Sequence, residues 1–142
     1  MLPQKVQLDI VTPERGVVSE AVDGIILPGS EGYLGVLPGH APLLTTLKVG
    51  RIEYRKARET FTLAVSWGFA EVLPEKVAIL AETAEKAEEI DLARAQAARE
   101  RAEKRLRSRD PDLDFLRAQV ALEKALIRIQ LASRAAPTSR ED

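Results

Sequence analysis

A short segment near residue 90 carries side chains suited to bind a ligand that combines polar groups with phosphate. Ile90 offers apolar cover, Asp91 is a hydrogen-bond acceptor, and Arg94 carries a guanidinium that matches phosphate geometry. Lys124 and Arg128 are one helical turn apart, so a helix would place both cations on one face. A simpler interpretation stays open, in which Asp91 caps a helix and pairs with Arg94 across a turn.

A catalytic site is disfavoured by the residue types available. His40 is the single histidine, and Ser66 lacks the Gly-x-Ser-x-Gly context of a nucleophile elbow. His40 lies in a Pro-Gly-His-Ala-Pro segment, where an imidazole can satisfy backbone groups of a turn. The absence of cysteine excludes disulfides, thiolate nucleophiles and cysteine metal sites. We therefore expect no catalytic residue, no metal site and no required cofactor.

Basic residues recur at helical spacing in the last third of the chain. They form two predicted stripes, Arg94, Arg101 and Arg105 on one helix and Arg117, Lys124 and Arg128 on another. Interspersed glutamates favour the ordinary interpretation of such stripes, a solvated helix face.

Composition narrows the class of protein further. The 142 residues allow one domain, or a small domain with an appendage. A net charge of −1, an aromatic content of 4% and the lack of a recognisable binding motif argue against nucleic-acid binding. No apolar run approaches the roughly 20 residues of a membrane span, and the first residues do not resemble a secretion signal. We expect any membrane association to be indirect, through a partner.

The first 84 residues are predicted to form an antiparallel β-sandwich or barrel. All eight glycines lie at or before Gly68, and short runs alternate apolar with polar residues. The predicted strands cover residues 6–10, 22–27, 33–37, 51–55, 61–65, 69–73 and 77–81. Proline and glycine turn signals separate them.

The remainder, residues 85–142, is predicted to be helical because it lacks glycine and is rich in alanine and charge. A first helix is expected from the N-cap Asp91 to about Arg107. Pro111 suits the first position of a second helix that continues to about Arg134. Two such helices joined by a short loop form an antiparallel hairpin.

The facing sides of this hairpin are predicted from the spacing of apolar residues. The first helix would contribute Ala93, Ala97, Ala98 and Ala102, and the second Leu116, Val120, Ile127 and Leu131. Such a hairpin has too little apolar surface to be strongly stable alone. If it packs on the sandwich in one state and on another protein in a second, it acts as a switch.

Three segments carry a resemblance to a known family. Residues 32–45, which read GYLGVLPGHAPLLT, resemble the signature segment of the ATP synthase delta/epsilon chain family. Residues 65–72 resemble its strand-turn-strand segment, with Trp67 in place of the usual first glycine, and residues 77–84 resemble its final strand. The resemblance runs from Val6 to about Leu131. It implies an α+β fold, with a β-sandwich of about ten strands over residues 1–84, a two-helix hairpin over residues 85–142, and a disordered tail from about residue 136.

This resemblance implies a non-catalytic subunit in the central stalk of an F-type ATP synthase. In such a subunit the sandwich binds the gamma subunit and the ring of c subunits, and so couples proton flow to ATP synthesis. The turn at residues 29–33 is the implied ring contact, through Glu31 and Tyr33. Tyr33 occupies a place that is often acidic in the family.

The resemblance also gives the cationic residues two roles. An Ile/Leu-Asp-x-x-Arg-Ala pattern binds ATP in some bacterial members, which implies a regulatory site for ATP with magnesium at Glu85, Ile90, Asp91, Arg94, Ala95, Lys124 and Arg128. Lys124 stands where better binders carry arginine. In the family an extended hairpin meets an acidic segment of the beta subunit and stops ATP hydrolysis, which implies inhibitory contacts at Arg101, Arg105, Arg117, Lys124 and Arg128.

A stand-alone ATP-sensing module, which needs no gamma subunit, is the alternative function. For the stalk subunit, the implied location is the cytoplasmic face of the bacterial plasma membrane, with the thylakoid stromal side less favoured.

Overall fold

The computed structural model describes residues 2–135, so the expected disordered tail lies outside the described residues. The chain divides after Lys86 into two compact units. The first unit contains β1 (Val6–Val11), β2 (Gly16–Val22), β3 (Gly24–Gly29), β4 (Gly32–Val36), β5 (Leu43–Thr46), β6 (Gly50–Lys56), β7 (Glu59–Val72) and β8 (Lys76–Lys86). The second contains a 3₁₀ turn (Ala87–Glu89), α1 (Leu92–Arg107) and α2 (Phe115–Ala135).

The strands form a two-layered sandwich because β7 and β8 each take part in both layers. The first part of β7 pairs with β6, its last four residues pair with β5, and β8 pairs along both parts. One layer therefore has the order β8-β7-β6-β3-β4, and the other β2-β1-β8-β7-β5. The α+β class and the sandwich are confirmed. Eight continuous strands supply five segments to each layer, which accounts for the expected ten.

The bend of β7 lies at Trp67 and Gly68. Both have positive φ, 53° at Trp67 and 119° at Gly68. A Cβ at Gly68 would lie 1.9 Å from the carbonyl oxygen of Leu80, so only glycine fits there. The hydroxyls of Ser66 and Thr83 hydrogen-bond across the two strands beside the bend, and Ser66 is buried. The two strands predicted at residues 61–65 and 69–73 are therefore parts of one continuous strand.

The sandwich core is built from alternate residues of the strands. In β1, Val6, Leu8 and Ile10 are fully buried while Gln7 and Asp9 are partly exposed, as the period-two pattern predicted. Other side chains buried at the centre of this core include Leu27, Ile52, Leu63, Val72, Val77 and Ile79. All members of this core cluster lie between Val6 and Ala81.

Two further parts of the strand prediction were wrong. Residues 22–27 are not one strand, because the chain turns at Asp23 between β2 and β3. The Asp23 carboxylate fixes this turn by accepting a hydrogen bond from the Ala57 backbone N–H at 2.8 Å and by pairing with Lys5. Strands β2 and β5 were missed, since neither shows a strict alternation over its length.

The first helix begins where the sequence predicted, whereas the second begins four residues later. Pro111 lies in a turn, because the Asp110 carboxylate accepts the Asp112 backbone N–H at 2.9 Å. Asp114 then caps α2 by accepting the Arg117 backbone N–H at 3.0 Å. The prediction that Pro111 opens the helix was therefore wrong, since the side chains of Asp110 and Asp114 compete successfully for the free amides.

The two helices pack through alanines at heptad spacing rather than through the predicted stripes. Among residues 92–134 of the two helices, those that are buried are Ala95, Ala102, Ala118, Ala125, Leu131 and Ala132. Of the predicted set, Ala102 and Leu131 are buried, but Ala93 is exposed and Leu116 is 69% exposed. Small residues let the two backbones approach closely, so the alanines form the interface between the helices.

Candidate functional site

The predicted ligand segment lies at the start of α1. The Asp91 side chain accepts a hydrogen bond from the Arg94 backbone N–H at 3.1 Å, and its carbonyl accepts one from Ala95 at 3.0 Å. Asp91 and Arg94 are exposed, Ile90 is partly buried, and the Ala95 side chain is fully buried. The helix-capping role of Asp91 is therefore observed, and the methyl group of Ala95 serves the helix packing.

The hairpin brings the predicted phosphate-binding cations to the same end. The 3₁₀ turn that precedes α1 packs on α2, so the two helices run antiparallel. Arg94 lies 13 residues before the end of α1 at Arg107, and Arg128 lies 13 residues after the start of α2 at Phe115. Arg94 and Arg128 therefore lie at the same level, with Lys124 one turn nearer the loop.

Glu85 belongs to the other unit of the chain. It lies in β8 opposite Ala64 and is partly buried. The other six residues of the predicted ATP site all lie in the helical unit.

The predicted inhibitory residues are spread along both helices. Arg101, Arg105 and Arg117 are exposed, whereas Lys124 and Arg128 are partly buried. Arg117 and Lys124 line a shallow groove of about 430 Å³ together with Asp114, Leu116, Val120 and Ala121. The groove therefore combines apolar side chains with two cations and one carboxylate.

The predicted ring-contact residues lie at the tip of the β3–β4 hairpin. Glu31 is exposed and Tyr33 is 50% exposed. The Tyr33 hydroxyl accepts a hydrogen bond from the Arg51 backbone N–H at 3.1 Å, and the Arg51 guanidinium lies 4.7 Å from the centre of the Tyr33 ring. Arg51 was not among the predicted site residues, because only the register of β6 reveals its contact with Tyr33.

His40 and Ser66, the pair considered for catalysis, each have a local partner. His40 Nδ1 lies 2.7 Å from the Ala41 carbonyl oxygen, and Ser66 bonds to Thr83. Within residues 2–135, no three histidine, aspartate or glutamate side chains gather in a way that could hold a metal ion. The described helices include none that is long and apolar enough to cross a membrane.

These features define a two-unit protein in which a β-sandwich precedes a helical hairpin, and known families match both units. Residues 5–87 match the beta-sandwich domain of the ATP synthase delta/epsilon chain, and residues 88–133 match its long alpha-helix domain. The ATP synthase epsilon chain 2 of Syntrophotalea carbinolica is 53% identical over 94% of this chain and 97% of its own. The ATP synthase epsilon chain of Syntrophobacter fumaroxidans is 50% identical over 94% of this chain and 99% of its own.

Solved structures agree with these sequence relatives. A chain in the Euglena gracilis mitochondrial ATP synthase, in a structure of OSCP, F1 and c-ring, matches with a TM-score of 0.80 at 27% identity, over 96% of this chain and 83% of that one. A chain from the central stalk and c-ring of the Tetrahymena thermophila mitochondrial enzyme shares the fold, with a TM-score of 0.58 at 17% identity over 96% of this chain and 100% of that one.

The chain belongs to the ATP synthase delta/epsilon chain family. As a relative of epsilon chains over almost its full length, it is a non-catalytic subunit of the rotary F-type ATP synthase.

Proposed function

We propose that the chain works in the central stalk, where its sandwich binds the gamma subunit and the c-ring and thereby couples proton flow to ATP synthesis. Its helical hairpin is a regulatory element that inhibits ATP hydrolysis. The subunit is a peripheral part of a membrane complex, and its side of the membrane is the cytoplasmic face of the bacterial plasma membrane.

One observation carries this proposal: the sandwich has a complete core of its own. Its core cluster draws only on residues between Val6 and Ala81, so docking of the sandwich does not depend on the helices. The helices pack on each other mainly through alanines, which bury little apolar area per residue. A stable docking unit followed by a weakly packed hairpin suits a subunit whose second part changes partners.

The outer face of the sandwich offers a surface for the gamma subunit. Phe69, Leu80 and Val11 are direct neighbours on β7, β8 and β1. Their exposed fractions are 46%, 45% and 37%. Such a row of large apolar side chains across three strands favours a permanent protein contact.

The groove on α2 supports the inhibitory role. Leu116 and Val120 give it apolar surface, and Arg117 and Lys124 outweigh the one carboxylate of Asp114, so its net charge is positive. This combination fits an acidic, amphipathic segment of the beta subunit. Arg101, Arg105 and Arg128 add cations on the two helices, so inhibition should weaken as salt is raised.

Regulation by ATP with magnesium is the third part of the proposal. Arg94 and Arg128 lie at one level of the hairpin, and Asp91 and Ile90 lie next to them at the start of α1. Bound ATP would hold the helices together through its phosphates and so favour the compact hairpin over the inhibitory one. Lys124, one turn nearer the loop, completes the part of the proposed site that lies in the helical unit.

Capture by the gamma subunit tests the docking role. Gamma from the same source should retain both the full-length chain and a chain that ends at Lys86, with similar affinity. Leu80→Glu should weaken capture strongly because it places a charge in the apolar row, whereas Leu37→Glu, at an exposed position outside that row, should not. Loss of binding on truncation would contradict the docking role of the sandwich, and a full-length chain that gamma does not retain would contradict the stalk function itself.

A further inference from the structure

The contact between Tyr33 and Arg51 spans three neighbouring strands. Tyr33 on β4 lies opposite Pro28 on β3, and Ile26 on β3 lies opposite Glu53 on β6. Beyond this pair the register changes, because the Pro28 carbonyl accepts the Lys48 backbone N–H at 3.0 Å and Gly29 pairs with Leu47. The Tyr33 side chain therefore reaches across the middle strand to the backbone of β6, where its hydroxyl accepts the Arg51 N–H.

The neighbouring residue, Gly50, leaves room for this arrangement. A Cβ at Gly50 would lie 2.7 Å from the Tyr33 hydroxyl and 2.8 Å from the Cβ of Pro28. Any larger residue would push the phenol away from β6. The tyrosine is thus fixed by a hydrogen bond at its tip, a guanidinium over its face and a glycine that makes space for it.

The position of the Arg51 guanidinium is energetically unfavourable in one respect. Its Nε atom is buried and has no hydrogen-bond partner within the described residues. A buried donor without a partner is rare and costs desolvation free energy. The compensating contact is the cation–π interaction with Tyr33 at 4.7 Å. Holding the tyrosine is the role that explains this otherwise unfavourable placement.

The fixed tyrosine keeps one hydrogen-bonding function for a partner. Among residues 2–135 its hydroxyl accepts a hydrogen bond from Arg51 but donates none. Tyr33 is 50% exposed, and Glu31, two residues earlier at the same hairpin tip, is exposed as well. A phenol that already accepts one bond retains its own proton for an acceptor oxygen outside the chain.

We propose that Arg51 is a positioning residue that, together with Gly50, holds Tyr33 so that its phenolic O–H donates to an acceptor oxygen on a polar loop of the c-ring. This inference rests on the proposed ring contact of the sandwich. It names the chemistry of that contact: the partner presents a carboxylate or carbonyl oxygen to Tyr33, not a cation. The advantage of a prepositioned donor is that little side-chain entropy is lost on binding.

Binding of the full-length chain to two preparations tests the inference. One is the ring-containing enzyme assembled without this chain, and the other is the catalytic head with gamma but without the ring. We expect wild type to bind the ring-containing enzyme more tightly. Tyr33→Phe should reduce that binding about fivefold, the effect of one lost hydrogen bond, and should leave binding to the ring-free head unchanged.

Variants at Arg51 separate positioning from general stability. Arg51→Met should weaken ring-dependent binding by about threefold, as expected when a cation–π contact is lost, and Arg51→Lys, which keeps a cation, should recover part of it. The double variant Tyr33→Phe/Arg51→Met should bind no more weakly than Tyr33→Phe alone, because Arg51 acts through the tyrosine hydroxyl. Arg55→Met, which removes an exposed arginine from the same side of β6, is the matched control and should bind like wild type.

Each outcome has a separate meaning. If wild type gains nothing from the ring, both the ring contact and this inference fail. If wild type gains affinity from the ring but the Tyr33 and Arg51 variants keep that gain, only the positioning inference fails. Additive losses in the double variant would likewise overturn it, because they would show that Arg51 acts independently of Tyr33.

Discussion

The Asp91 carboxylate accepts a hydrogen bond from the backbone N–H of Arg94 at 3.1 Å and so caps α1. The same two residues form the centre of the proposed ATP site. A ligand that recruits the Asp91 carboxylate therefore competes with the helix cap. ATP binding and the stability of the first turn of α1 are expected to be coupled for this reason.

Substitution of Asp91 tests its role as the N-cap of α1. Asp91→Ala should destabilise α1 by about 1 kcal/mol, whereas Asp91→Asn should change it by only a few tenths, because asparagine also caps helices well. Amide hydrogen exchange at Arg94 and Ala95 measures this difference. Asp114→Ala is the matched control, since it removes the corresponding cap of α2 and should speed exchange at Arg117 instead. Equal protection in all variants would contradict the capping role.

The proposed ATP site predicts a gain of affinity on one substitution. Lys124→Arg should tighten MgATP binding by up to about tenfold, because a guanidinium can form two hydrogen bonds to phosphate where an ammonium acts as a point charge. Arg94→Ala should remove most binding. Arg99→Ala, which breaks an exposed ion pair with Glu103 on the same helix, is the control for general loss of charge. Isothermal titration measures all three, and no heat at millimolar nucleotide with wild type would refute the site.

The alanine interface predicts opposite outcomes for two similar substitutions. Ala102→Leu should destabilise the hairpin by about 1–3 kcal/mol, because the added methylenes overpack a buried contact. Ala93→Leu should have little effect, since Ala93 is exposed. Urea unfolding followed by helical circular dichroism gives both values. A larger loss for Ala93→Leu would contradict the observed helix-packing face.

The lowered pKa values of three carboxylates predict that the sandwich loses stability in acid. A hydrogen bond from Ser19 holds the pKa of Asp9 below its usual value, and a hydrogen bond from Lys56, with a second from Tyr54, lowers the pKa of Glu20. A hydrogen bond from Lys5 lowers the pKa of Asp23 in the same way. Groups with a lowered pKa stabilise the fold above their unfolded pKa values, near 4, and this stabilisation is lost as the pH falls through the folded values.

The acid response can be followed with Trp67, the single tryptophan of the chain. Its fluorescence should report unfolding of the sandwich as the pH falls below about 4. Ser19→Ala removes the 2.7 Å hydrogen bond to Asp9 and should raise the pKa of that group. The variant should therefore lose less stability than wild type between neutral and acid pH. An identical pH dependence would show that the Ser19–Asp9 bond does not stabilise the ionised carboxylate.

Local signals made much of the helical unit predictable. The cap at Asp91 and the extent of α1 depend on a few neighbouring residues, so sequence alone identified them. The start of α2 was misjudged because proline marks only a permitted helix position, while the side chain of Asp114 decides which amides are capped. The packing face was misjudged because large apolar residues were assumed to face the partner helix, although small residues allow closer packing.

Non-local features were harder to predict. The contact between Tyr33 and Arg51 depends on the register of β6, which no nearby residue specifies. The continuity of β7 through Trp67 was hidden for a different reason: a bulky residue with positive φ is unfavourable by itself and persists only because the surrounding strands hold it.

The proposed regulatory hairpin is tested by comparing ATP hydrolysis by the gamma-containing catalytic head with the full-length chain and with a chain that ends at Lys86. We expect both forms to bind and truncation to raise hydrolysis at low ATP by about twofold or more, the value expected if the inhibited state is populated half of the time. At high ATP the two rates should converge, because bound nucleotide favours the compact hairpin. Equal rates with both chains at every ATP concentration would contradict a regulatory hairpin.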